Sequence, residues 1–131
     1  MKLLYLLLLI LPLPFVFAND TDPIDKTAEL IKQGDIRSLS KDFSPTVELT
    51  IMGEGDVYPS TEAETKLSDF FAQHQPRSVK ILHRIVSNPN FRFAVLILTT
   101  NNGVYRTSFS LRKVNESFEL NELRIEAEKT K

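Results

Sequence analysis

Three side chains in this sequence are the candidates for chemistry by type and position: His83, Tyr58 and Tyr105. An imidazole titrates near neutrality and serves as acid or base. Strand alternation around His83 places it on an inward face with Ile81, Ile85 and Leu96. There it is either a catalytic acid–base or a buried neutral ring bonded to a core neighbour. Acid–base work needs an orienting carboxylate, and no inward position matching His83 carries one. Tyr58 adjoins the acidic Glu54-Gly55-Asp56 segment, and a tyrosine so placed either lines a binding site or packs its ring and leaves its hydroxyl wet. Glu48, Asp56 and Glu122 are the remaining carboxylates of interest. Arg106, Arg112 and Arg124 alternate along strands, either as an anion site or as a solvated face paired with Glu119 and Glu126.

The inventory excludes more than it offers. With no cysteine, disulfides, thiolate nucleophiles, cysteine-rich zinc sites and an acylated lipoprotein cysteine are ruled out. The two histidines, His74 and His83, stand at no metal-ligand spacing. No nucleophile elbow, phosphate-binding glycine loop or metal motif occurs, so neither a metal nor a cofactor is expected.

The N-terminus reads as an address. Lys2 is a minimal basic region, Leu3–Phe17 is an unbroken apolar run, and Val16-Phe17-Ala18 suits a signal peptidase. A membrane span needs roughly 20 apolar residues. This run is shorter, holds Pro12 and Pro14, and leads into the acidic Asn19-Asp20-Thr21-Asp22. The expected organisation is a signal peptide over 1–18, a single domain over 19–126 and a frayed tail over 127–131, with the mature product periplasmic or secreted and no membrane contact after cleavage. Without the leader, 113 residues remain, carrying 15 Lys and Arg against 17 Asp and Glu with the signs interspersed. That balance argues against a nucleic-acid partner, which needs a basic face.

The elements that must position these residues run from helices to strands. Asp22-Pro23 opens a first helix, with an apolar stripe at Ile24, Ala28 and Ile31 and Gly34 as its stop. Asp35 caps a second, with Ile36, Leu39 and Phe43 inward and Ser44-Pro45 as its end. Val47–Ile51 alternates as a strand, and Gly53–Asp56 reads as a flexible acidic loop. Thr61-x-x-Glu64 predicts a capping box for a third helix, which buries Ala63, Leu67, Phe70 and Phe71. From Val79 the period is two, giving strands over 79–87, 91–100, 104–113 and 118–126.

Register follows from the turns. A two-residue turn at Asn102-Gly103 would set Thr100 opposite Tyr105, Leu98 opposite Thr107, Leu96 opposite Phe109 and Ala94 opposite Leu111. The same parity sets His83 opposite Leu96. The apolar set of the last strand jumps from Phe118 and Leu120 to Leu123 and Ile125, which predicts a bulge near Asn121-Glu122. The outer face then carries Leu82, Val86, Phe93, Val95 and Ile97 beside Arg84, Arg106, Ser108, Ser110 and Arg112. Solvated antiparallel faces are usually polar. A homodimer through Phe93, Val95 and Ile97 is therefore expected, or cover from elsewhere in the chain.

This α+β order, about three N-terminal helices on a curved antiparallel sheet, resembles the nuclear transport factor 2-like (cystatin-like) cone. The segments Val47–Gly53, Asp69-Phe70-Phe71, Leu98–Arg106 and Leu123–Glu126 resemble the domain-of-unknown-function family 4783 of small secreted Bacteroidetes proteins. The resemblance implies a pocket between helices and sheet, whose mouth Tyr58 and Tyr105 would line, and no catalytic motif. Dimerisation through the outer face is also implied. Steroid-isomerase-like members of the superfamily pair an aspartate with a tyrosine, and no residue here maps onto either role. Two readings stand: a non-catalytic ligand-binding or protein-interaction module, or a small pocket enzyme of isomerase or hydrolase type centred on His83, with His83, Tyr105 and Tyr58 as the ligand-binding candidates.

Overall fold

The computed structural model describes residues 22–129, so the leader lies outside the described residues. Helix α1 (Pro23–Gln33) starts as its residues dictate: Asp22 Oδ1 accepts the Ile24 N–H at 2.7 Å, and Gly34 closes the helix at φ 68°. Helix α2 (Ile36–Ser40) is capped by Asp35, which accepts the Ser38 N–H at 3.1 Å. It ends earlier than expected, and Phe43 opens strand β1 (Phe43–Ile51) instead of closing α2. From β1 the Phe43 ring is buried opposite Leu120, where the pairing register slips before Glu48. Pro45 falls in that slip, the part of a strand where a missing N–H is tolerated.

The acidic segment expected as a loop is an edge strand, β2 (Glu54–Pro59), hairpinned to β1. Met52 and Gly53 make the turn at φ 53° and 85°, the left-handed pair that a tight hairpin requires. Helix α3 (Ser60–Gln73) follows at once, with Pro59 as N-cap and no side-chain cap, so the Thr61 capping box does not form. Thr61 is already inside the first turn, and its carbonyl accepts the Thr65 hydroxyl at 3.2 Å.

Strands β3 (Pro76–Asn88), β4 (Phe91–Thr100), β5 (Gly103–Val114) and β6 (Ser117–Ala127) complete a curved six-stranded sheet of order β2-β1-β6-β5-β4-β3. Every pairing is antiparallel except β1 with β6, which makes the sheet mixed. The expected bulge is present, with Ser110 opposite Glu122 and Leu111 opposite Leu120 so that Asn121 is the extra residue. The β4–β5 turn sits one residue earlier than expected: Thr100 pairs with Gly103, Leu98 with Tyr105, Leu96 with Thr107 and Ala94 with Phe109. The slide is two residues in pairing, an even number, so the inward set is unchanged while its partners differ. The tail is shorter than expected, since Ala127 pairs with Tyr105 and the Glu128 N–H donates to the Val104 carbonyl at 3.0 Å.

The three helices cover one face of the sheet. Phe109, Leu96, Leu98, Leu120 and Ile125 from the sheet and Ile24, Ile31, Leu39 and Leu67 from the helices are fully buried between the layers. These side chains fill most of the space between helices and sheet, and an opening of about 210 Å³ remains between α1 and the sheet, lined by Lys26, Thr27, Leu111 and Phe118.

Candidate functional site

His83 is not inside. The β3–β4 register slips between Ile81, which faces Leu96, and His83, which faces Val95. Leu82 is the extra residue, and from His83 to Ile85, where the register slips again, the side chains of β3 change face. His83 is consequently exposed on the outer face, and Arg84, expected outside, turns inward opposite Ala94. Its guanidinium reaches the Asp25 carboxylate of α1, with Asp22 at 3.8 Å. The hydrogen bond to Asp25 raises the Arg84 pKa above its already high ordinary value. This cluster pins the N-terminus of α1 to β3. It went unread in the sequence because β3 carries apolar residues at both parities around Leu82.

Tyr105 is inward and buried. Its ring meets Phe70 edge-on at 5.2 Å and His74 at 5.3 Å, and its hydroxyl donates to the Asn102 carbonyl at 3.0 Å. His74 stacks on Phe70 at 4.2 Å, with Nδ1 2.9 Å from the Phe70 carbonyl. These rings dock the end of α3 on the β4–β5 turn. Tyr58 lies on the opposite edge strand from His83, half-buried over a groove of about 260 Å³ that Leu49, Glu54, Lys66 and Asp69 line. The Lys66 ammonium stands over its ring at 5.0 Å. The fold thus separates the three candidates and brings none to another.

The carboxylates fare alike. Glu48 lies opposite Glu122 and Val57 on the sheet, and Asp56 Oδ1 accepts the N–H of its neighbour Val57 at 2.7 Å. Arg106 pairs with Glu128 at 3.5 Å and Arg124 with Glu126 at 3.2 Å. Ser110 is buried because its hydroxyl donates to Asn121 Oδ1 at the bulge, 2.9 Å away. Among the described residues no group of three metal-ligating side chains occurs.

Two surface features remain. On the outer face, Phe93, Val95 and Ile97 are half-buried and Ile85 is 46% exposed, whereas Ala94, Leu96 and Leu98, the alternate residues of β4, are buried. The second is a charge division that corrects the expected interspersion: residues 76–115 contain seven Lys and Arg and not one Asp or Glu. Strands β3, β4 and β5 are therefore basic, while β1, β2 and β6 hold Glu48, Glu54, Asp56, Glu119, Glu122 and Glu126 against a single Arg124. A count of acids by segment, in place of a whole-chain balance, would have found it.

Solved structures share this arrangement. A protein of the DUF4783 family from Bacteroides uniformis superposes with TM-score 0.76 at 24% identity, covering 81% of this chain and 97% of its own. One from Bacteroides ovatus gives 0.74 at 22%, covering 79% and 94%. An NTF-2 like protein of unknown function from Silicibacter pomeroyi gives 0.60 at 11%, covering 80% and 89%, which shows the common cone fold. Among curated proteins none matches. The family model for the domain of unknown function DUF4783 matches residues 24–126, from the first buried residue of α1 to the penultimate residue of β6, and the chain belongs to that family.

Proposed function

We propose that this domain is an exported, non-catalytic interaction module that works through the outer face of its sheet, with a second copy of the chain as occupant. The contrast along β4 carries the reading: one parity is consumed by the protein's own core, and the other, Phe93, Val95 and Ile97, stays partly open beside Ile85. An apolar stripe rimmed by Arg106, Arg112, Glu122 and Glu126 has the core-and-rim composition of an interface. The area suffices as well. Six strands about 4.8 Å apart and roughly ten residues long at about 3.3 Å each present roughly 900 Å², against about 800 Å² per partner in a standard interface. Export is supported by Lys2, the apolar run Leu3–Phe17 and the small residue Ala18.

Sedimentation velocity of the chain from Asn19 tests the first half. A dimer is expected for the wild type and a folded monomer for Val95→Asp. A wild type that stays monomeric across the micromolar range overturns it. N-terminal sequencing of the exported product tests the second half: a start at Asn19 is expected, and a product retaining Leu3–Phe17 overturns export.

A further inference from the structure

The hairpin end of the basic half-sheet holds an open groove of about 640 Å³ between the β3–β4 and β5–β6 turns, lined by Asn88, Asn90, Phe91, Arg112, Lys113 and Asn115. From this lining we infer an anion-binding site for an acidic polysaccharide, a chain of carboxylated or sulfated sugars. Arg112 also stands on the rim of the apolar stripe, so the groove borders the face proposed above, and the monomeric Val95→Asp variant presents it uncovered.

Charge is the first ground. No carboxylate lines the groove itself; the nearest are Glu116, beside Asn115 in the β5–β6 turn, and Glu119, opposite Arg112 on β6. Arg112 and Lys113 enter none of the ion pairs among the described residues, Glu119 standing opposite Arg112 without pairing with it, so both cations are available to a ligand. Arg92 next to them is already committed: its guanidinium lies over the Phe118 ring at 4.8 Å and donates to the Asn88 and Phe91 carbonyls, each at 3.1 Å. That commitment leaves two free cations, fewer than the several phosphate contacts that hold a nucleic acid.

The second ground is the neutral part of the lining. Three primary amides stand on the turns, where Asn is favoured by local geometry; Asn115 has φ 59°. Each amide presents donors and an acceptor suited to vicinal hydroxyls. Asn88 uses its Oδ1 for the Asn90 N–H at 2.8 Å, which aims its NH2 for other use. Phe91 supplies an apolar surface for a sugar ring. The two hairpins are tied by the Lys113 N–H donating to the Asn90 carbonyl at 2.9 Å, so the groove is set before a ligand arrives. Its open form does not enclose a small molecule as ligand pockets do. A chain that repeats its contacts along the groove suits it better.

The test is affinity electrophoresis and titration calorimetry at low salt, with dextran sulfate, polygalacturonate, neutral dextran and a single-stranded oligonucleotide of matched charge as probes. Binding of both anionic polysaccharides is expected, weakening with added salt, with no binding of neutral dextran. Arg112→Glu/Lys113→Glu should weaken it at least about tenfold, since hydrogen bonds to charged groups are the strong ones. Lys32→Glu on α1 should leave it unchanged, as should Val95→Asp. Circular dichroism confirms that the exposed double variant folds. Failure of both anionic polysaccharides to bind overturns the inference, as does equal binding of neutral dextran, tighter binding of the oligonucleotide, or an unaffected double variant.

Discussion

Phe109→Ala perturbs the packing at its most enclosed point. Phe109 has no exposed surface and stands on β5, between β4 and β6, with Ala94 and Leu123 as its cross-strand neighbours. Truncating a buried phenylalanine generally destabilises by about 3–5 kcal/mol, the spread reflecting how far the surroundings collapse into the void. Here collapse is hindered: both flanking strands are held by ladder hydrogen bonds, and Ala94 has no longer side chain to swing in. The expected loss is therefore in the upper half of that range, about 4 kcal/mol. At about 4 °C per kcal/mol for a domain of this size, the thermal midpoint should fall by roughly 16 °C. Equilibrium urea unfolding followed by circular dichroism measures it, and an unchanged m-value would show that the denatured state is unaffected. A loss below about 1 kcal/mol would mean that Phe109 does not fill the space between helices and sheet.

Three further outcomes are expected. The Thr107 hydroxyl is buried without a hydrogen-bond partner, so Thr107→Val should stabilise by about 1 kcal/mol in the same titration; destabilisation would reveal a bound partner for Oγ1. Hydrogen bonds from the Ser38 hydroxyl and N–H lower the Asp35 pKa from its ordinary 3.8. A depressed pKa stabilises above the unfolded value and loses that contribution as pH falls through the folded one. Wild type and Asp35→Asn should therefore converge in stability in strong acid and differ above about pH 4, and a difference independent of pH would refute the cap's charge dependence. Since His83 is exposed on the outer face, His83→Gln should change monomer stability by less than about 0.5 kcal/mol, whereas a large loss in urea titration would restore the inward register.

What the sequence disclosed depended on whether the signal was local. Asp22, Pro23 and Gly34 act within their own turns, so α1 was legible to the residue. The parity jump from Leu120 to Leu123 is visible in one strand, so the bulge at Asn121 could be placed before its partner strand was known. The parallel pairing of β1 with β6 joins segments far apart and leaves no local mark. Phe43 fits both a helical stripe and an alternating strand, and only its burial opposite Leu120 decides. The β4–β5 turn offers both Asn101-Asn102 and Asn102-Gly103, and a two-residue slide keeps the same inward faces, so the inner core survived a wrong register. The bulge at Leu82 had no such protection. Ile81, Leu82 and Ile85 satisfy either parity, and a one-residue slip there exchanged His83 for Arg84. The candidate site was misplaced by that single residue.

The claim that the outer face is the working surface is tested most directly by methyl NMR with a soluble paramagnetic agent, following Val95 and Ile97 as the protein concentration is raised. Val57, 57% exposed on the edge strand β2, serves as the solvent-facing reference. Protection of the Val95 and Ile97 methyls should grow with concentration and disappear in Val95→Asp for Ile97, with Val57 relaxed strongly throughout. Val95 and Ile97 methyls relaxed at every concentration to the extent that their half-buried position in the monomer allows, with no dependence on concentration, would contradict it.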